Sequence, residues 1–79
     1  MIEYNVHNVA DNKEFKIACN KIESNIKNLS IESTLIDVDG SIIRTYNSDN
    51  GKIKVYNDYE VDAVYIDSEI NLDGLFQRT

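Results

Sequence analysis

The hydrophobic period of this chain changes once, near residue 30, and that change restricts the fold more than any other feature. Before it, Phe15, Ala18, Cys19, Ile22, Ile26 and Leu29 recur at spacings of three and four. On a helical wheel they fall in a stripe about 100° wide, the mark of an amphipathic helix with one buried face. Asp11 and Glu14 stand at the spacing of a capping box. In that motif the first side chain accepts from a free backbone N–H and the second reaches back. The spacing predicts a helix over about residues 12–29, with Ile17 opposite its apolar stripe. Ahead of it, Ile2, Tyr4 and Val6 alternate with Glu3 and Asn5, which predicts a strand.

Beyond residue 30 the period is two. Residues 33–38 and 41–46 flank Asp39-Gly40, a dipeptide suited to the positive φ angles of a tight hairpin turn. Such a turn pairs Val38 with Ser41 and Ile36 with Ile43. The next connection, residues 48–52, is decided by register. A two-residue turn at Asn50-Gly51 puts Ile43 and Thr45 on the face of Lys52 and Lys54. A three-residue loop, with Gly51 as a left-handed bulge, aligns them with Ile53 and Val55. A one-residue slip flips every side chain, so the second arrangement is expected. A three-residue turn at Asn57-Asp58-Tyr59 then brings Val61, Ala63 and Tyr65 to the same face.

The expected fold is α+β: a two-layer sandwich of one long helix on a mostly antiparallel sheet of four or five strands, in the order β-α-β-β-β-β. Its inner face reads Ile36, Val38, Ile43, Ile53, Val55, Val61, Ala63 and Tyr65. Its outer face reads Leu35, Ile42, Tyr46, Tyr56, Val64 and Ile66, interspersed with Asp37, Arg44, Lys52, Lys54, Glu60 and Asp62. A sheet with a single helix needs only one apolar face. The outer face therefore calls for a cover: the C-terminal segment with Ile70, Leu72, Leu75 and Phe76, a second copy of the chain, or a partner.

Seventy-nine residues make a single domain, 1–79, near the lower limit for a core that stands alone. The one cysteine, Cys19, excludes an internal disulfide and a thiolate metal cluster, and suits the reducing cytoplasm. No apolar run approaches the ~20 residues of a membrane span, and residues 1–14 lack the basic and apolar regions of a signal peptide. Asn occurs ten times and Ile eleven, with AT-rich codons that fit a low-GC bacterium or its phage. A cytoplasmic location is expected, the host cytoplasm for a phage product.

The charge is lopsided. Residues 1–30 hold four lysines against four acids, so the whole net charge of −6 comes from residues 31–79. The last six acids, Asp58, Glu60, Asp62, Asp67, Glu69 and Asp73, stand with no Lys or Arg among them until Arg78. Such a field repels phosphate backbones and attracts basic surfaces. The only positive footprint, Lys13, Lys16, Lys21 and Lys27 on the helix, is offset by Glu14 and Glu23, so direct nucleic-acid binding is not expected.

Catalytic and metal chemistry find no foothold. His7, the only histidine, has no nearby Ser or Cys nucleophile, and Cys19 lies on the apolar stripe as a small hydrophobe. Aligning Asp37-x-Asp39-Gly40 to a calcium loop puts Leu35 and Tyr46 at the first and twelfth positions, without the closing glutamate. Paired-carboxylate catalysis needs two acids held in a cleft, whereas these alternate along strands. Gly40, Gly51 and Gly74 are isolated, so no phosphate loop is present. No enzyme activity and no cofactor are expected.

What remains is binding. The acidic-aromatic run Tyr56-Asn57-Asp58-Tyr59-Glu60-Val61-Asp62 combines carboxylates for Arg and Lys with tyrosines as rigid contact area. The expected partner-binding residues are Tyr46, Tyr56, Asp58, Tyr59, Glu60, Asp62, Asp67 and Glu69. The profile is similar in type to small anti-defence proteins of phages, many anti-CRISPR proteins among them, with no motif that specifies a family. It implies a protein-binding inhibitor or adaptor whose acids imitate nucleic-acid phosphates in a basic groove of its partner. The alternative is a structural or regulatory homodimer assembled through the outer sheet face.

Overall fold

The computed structural model describes residues 1–79. The chain order is β1 (Ile2–His7), α1 (Asn12–Asn25), β2 (Ser30–Ile36), β3 (Ile42–Ser48), β4 (Gly51–Asp58), β5 (Ala63–Ser68) and β6 (Gln77–Arg78). The strands form one antiparallel sheet in the order β2-β3-β4-β5-β1-β6, with α1 on one face. The α+β layering and element order are those expected. The extra strand, β6, is two residues paired to β1.

Helix α1 starts as its sequence dictates. The Asp11 carboxylate accepts from the backbone N–H of Lys13 and Glu14, at 2.8 and 3.0 Å, satisfying donors that the first turn leaves free. The N–H of Asp11 itself donates to Asn57 Oδ1 at 2.9 Å, so a side chain of β4, and not Glu14, holds it. The helix stops at Asn25, short of residue 29, because Ile26 turns to extended backbone and Asn28 takes a φ of 56°. Phe15, Ala18, Cys19 and Ile22 are buried as the stripe predicts, and Ile26 and Leu29 still pack against the core from the loop. Burial pushes the Cys19 thiol up, as an apolar setting should.

The registers differ from expectation in all three hairpins. Between β2 and β3 the loop is Val38-Asp39-Gly40: Asp37 N–H bonds Ser41 O, Gly40 takes a φ of 90°, and Ile36 faces Ile42 instead of Ile43. Between β3 and β4 the ladder runs on to Ser48 and Gly51, leaving only Asp49 and Asn50 in the turn. Ile42, Arg44 and Tyr46 thus join Asn57, Val55 and Ile53 on the helix side, while Ile43 and Thr45 share the outer face with Lys54 and Tyr56. Between β4 and β5 Asp58 pairs with Ala63, so Val64 and Ile66 face inward and Ala63 and Tyr65 outward.

The cause is polar residues on the inner face, which hydrophobic counting had assigned to water. Arg44 lies there with its guanidinium 5.6 Å from the Phe15 ring centre and Nε on Thr34 Oγ1 at 3.1 Å. Asn57 is fully buried but satisfied, since its Nδ2 donates to Asn12 Oδ1 at 2.8 Å and its Oδ1 accepts from Asp11. Ser68, also buried, donates to Ile70 O and accepts from Ile70 N–H.

The C-terminal segment closes the helix side. Leu72 is buried in the main cluster, and Tyr4 Oη accepts from its N–H at 2.6 Å while donating to Asp73 at 2.8 Å. Lys21 Nζ donates to Leu75 O at 3.2 Å and stands 5.4 Å from the Phe76 ring centre. The segment is therefore spent beside β1 and α1, and no element of the chain covers the outer face.

Candidate docking surface

Helix α1 packs on β4 and β1, and its reach decides which part of the sheet is core. Strand β2, at the far edge, has no buried residue. Its inner-side residue Ile36 is 72% exposed, its outer-side neighbour Leu35 62%, and Val38 at the loop tip is fully exposed. The β4–β5 turn lies beside that tip: Tyr59 N–H bonds Ser41 Oγ at 2.9 Å, and the Tyr59 ring comes within 3.6 Å of where a Cβ on Gly40 would sit. Val61 of the same turn is 61% exposed. Two hairpin tips thus form one apolar knob at one end of the sheet.

Carboxylates surround the knob. Asp37 and Asp39 come from the β2–β3 loop, Asp58, Glu60 and Asp62 from the β4–β5 turn. Several close their own turns. Asp37 Oδ1 accepts from Val38 N–H, Asp39 Oδ1 from Ser41 N–H, and Asp58 Oδ1 from Glu60 and Val61 N–H. Asp62, at a φ of 57° that Asp tolerates, accepts from Ala10 N–H at 2.9 Å. Partial burial works against the charge of Asp58. The Tyr65 hydroxyl at 2.9 Å and the two turn N–H groups outweigh it, and hold the carboxyl below its ordinary range. None of the five is in an ion pair; the two in the molecule are Lys52–Glu32 and Arg78–Asp73, at 3.0 and 2.7 Å.

Behind the knob, the outer face carries a row of paired side chains, Leu35, Ile43, Tyr56 and Tyr65. The two tyrosine rings stack with centres 4.6 Å apart and planes within 11°. Burial first, and the neighbouring acids second (Asp67 for Tyr56, Asp58 for Tyr65), push both phenols up. A cleft of about 350 Å³ opens where this row meets the knob, walled by Leu35, Ile36 and Ile43 and rimmed by Asp37, Asp39 and Glu60.

Of the residues expected to bind a partner, Tyr56, Asp58, Tyr59, Glu60 and Asp62 come together at this end. Tyr46 does not. Expected on the outer face, it is fully buried on the inner one, its hydroxyl donating to the Glu23 carboxylate, because β3 is one residue out of the expected register. Asp67 sits half-buried opposite Lys54 in mid-strand, and Glu69 accepts from Lys52 N–H at 2.7 Å at the opposite end. Leu35, Ile36, Asp37, Val38, Asp39 and Val61 were missed as site residues. Their signal is legible as two acids alternating with an apolar run, but the expected register assigns Ile36, Val38 and Val61 to the inner face and leaves Leu35 and Asp37 on the outer one.

No group of three or more His, Cys, Asp or Glu side chains is placed to hold a metal ion. No helix is long and apolar enough to cross a membrane. Comparison with protein-family models, curated proteins and solved structures finds no match for this chain.

Proposed function

We propose that this protein is a non-enzymatic inhibitor or adaptor that docks through its acidic, apolar-centred end onto a basic surface of a partner protein. One observation carries this: Leu35, Ile36, Val38, Tyr59 and Val61 are exposed together, ringed by five carboxylates without a cation. An exposed apolar patch with a charged rim has the anatomy of an interface, in which the centre supplies desolvation and the rim steers encounter. Carboxylates fixed by their own turns are preorganised, so binding need not order them. A partner groove built for nucleic-acid phosphates offers the matching charge, which fits a phage or mobile-element product directed at a host nuclease.

The test uses a variant that keeps the turns. Asp37→Asn and Asp39→Asn retain the oxygen acceptors, and the Glu60 side chain makes no hydrogen bond, so Glu60→Lys disturbs none. Each amide removes one negative charge and the lysine reverses another, taking the net charge from −6 to −2. The triple variant should melt like the wild type yet fail to retain a partner captured by the wild type from cells of the source organism. Retention by both proteins alike would sink the proposal.

The row Leu35, Ile43, Tyr56 and Tyr65 favours a second reading, a homodimer through the outer face. Sedimentation at micromolar concentration separates the two, since the docking reading requires a monomer.

A further inference from the structure

We propose that β2 receives an extended basic segment of the partner, which adds to the sheet as a further strand. This rests on the docking reading above and specifies how the partner is held. The bond from Asp37 N–H to Ser41 O fixes the phase of the ladder. In an antiparallel pair the bonded residues alternate, so Leu35 and Ser33 bond β3 while the N–H and C=O of Thr34 and Ile36 point away from the sheet. Such unpaired groups are a template for another chain.

Proteins usually blunt an edge of this kind with Lys, Pro, a β-bulge or extreme shortness. The opposite edge obeys, since β6 is two residues long. Strand β2 has seven residues, no Lys, Arg or Pro, and one charge, Glu32, which Lys52 already holds at 3.0 Å. Its one blunting device is a bulge between Ile31 and Ser33, which leaves the run from Ser33 to Ile36 in a single register. Its exposed Leu35 and Ile36 flank the free backbone on either face of the sheet.

The charge of the surroundings names the occupant. At the end of the edge lies the cleft walled by Leu35, Ile36 and Ile43 and rimmed by Asp37, Asp39 and Glu60. Apolar walls for a methylene stem and carboxylates for its head suit Arg or Lys. A second copy fits less well. Antiparallel self-pairing centred on Thr34 sets Ile36 of each copy against Glu32 of the other, and joins two chains of net charge −6.

The experiment titrates the ¹⁵N-labelled full chain with an acetylated, amidated six-residue peptide alternating arginine and valine. Peptide binding should move the Thr34 and Ile36 amide resonances and slow their hydrogen exchange at least tenfold. The same peptide N-methylated at every amide keeps its charge but cannot donate, and should bind at least tenfold more weakly. A glutamate-valine peptide should not bind. Equal binding of the methylated peptide would overturn strand addition while leaving acidic docking intact, and so would a failure of the arginine peptide to bind. Equal binding of the glutamate peptide would overturn the basic character of the occupant. Protection of Thr34 and Ile36 that rises with protein concentration, without peptide, would assign the edge to a second copy and overturn the proposal.

Discussion

The two halves of this sheet are made of the same kinds of residue and differ in what lies on them. The half formed by β1, β4 and β5 lies under or beside α1 and the C-terminal segment, and Tyr4, Ile53, Val55, Val64 and Ile66 there are fully buried. The half formed by β2 and the distal end of β3 has comparable apolar residues and no cover, so Leu35, Ile36 and Val38 face water. The helix, ending at Asn25, sets the boundary. Hydrophobic side chains stabilise a fold only where something excludes water from them. On the open half they contribute little to the fold, which leaves them for a partner.

Breaking the covered half should have the largest effect. Ile22 is fully buried in the centre of the helix stripe. Ile22→Asp strands a charge there at several kcal/mol, against a total stability of about 5 kcal/mol for a small domain. The variant should lose its circular dichroism spectrum at 25 °C. Ile17→Asp, on the 47% exposed face of the same helix, should cost less than about 1 kcal/mol.

A matched pair measures the contrast directly. Ile53→Ala should cost about 2–5 kcal/mol, whereas Ile36→Ala should stay within about 0.5 kcal/mol. Urea midpoints for the two decide it, and similar losses would mean that the open half is packed after all.

Gly51 sharpens the account of the β3–β4 turn. The expected left-handed bulge would admit Asn and reject Val. The observed φ of 142° lies outside the left-handed helical well, and a Cβ would meet Glu69 Cβ at 2.9 Å. Gly51→Asn and Gly51→Val should therefore both destabilise, by about 1–3 kcal/mol. A tolerated Asn would restore the bulge.

The smallest effect belongs to the open end. Asp58 has its native pKa below the ordinary 3.8, so its bonds to Tyr65, Glu60 and Val61 add stability above that pH. That contribution is lost as pH falls through the lower native value. Asp58→Asn keeps an acceptor but does not titrate. The difference in urea midpoint between the two proteins should shrink on acidification from about pH 5 to about pH 2, and a constant difference would show that the carboxylate is not coupled to the turn.

The helix and strand identities could be read from period and capping alone, because Phe15, Ala18, Cys19 and Ile22 leave no second phase that buries them. The registers could not. Counting apolar residues assumes that polar ones stay outside. Asn57 is satisfied only by Asn12 and Asp11, some 45 positions away in the chain, and Arg44 by the Phe15 ring and Thr34. Local sequence holds no trace of such partners. With β4 placed correctly and both its neighbours slipped, Tyr46 moved from the expected surface to the core. The acidic turn keeps its place because Tyr59, Glu60 and Asp62 lie outside the ladders, where register does not reach, and Asp58 is the last residue of β4.

Native-state hydrogen exchange on the free protein tests the contrast between the halves most directly. Local openings expose weakly held segments at less free energy than global unfolding. The amides that β2 donates to β3 should exchange through such openings, at least tenfold faster than those shared by β4 and β5, which should follow global unfolding. Equal protection across the sheet would mean that β2 belongs to the same cooperative unit as the core, and would contradict the account of an open half left for a partner.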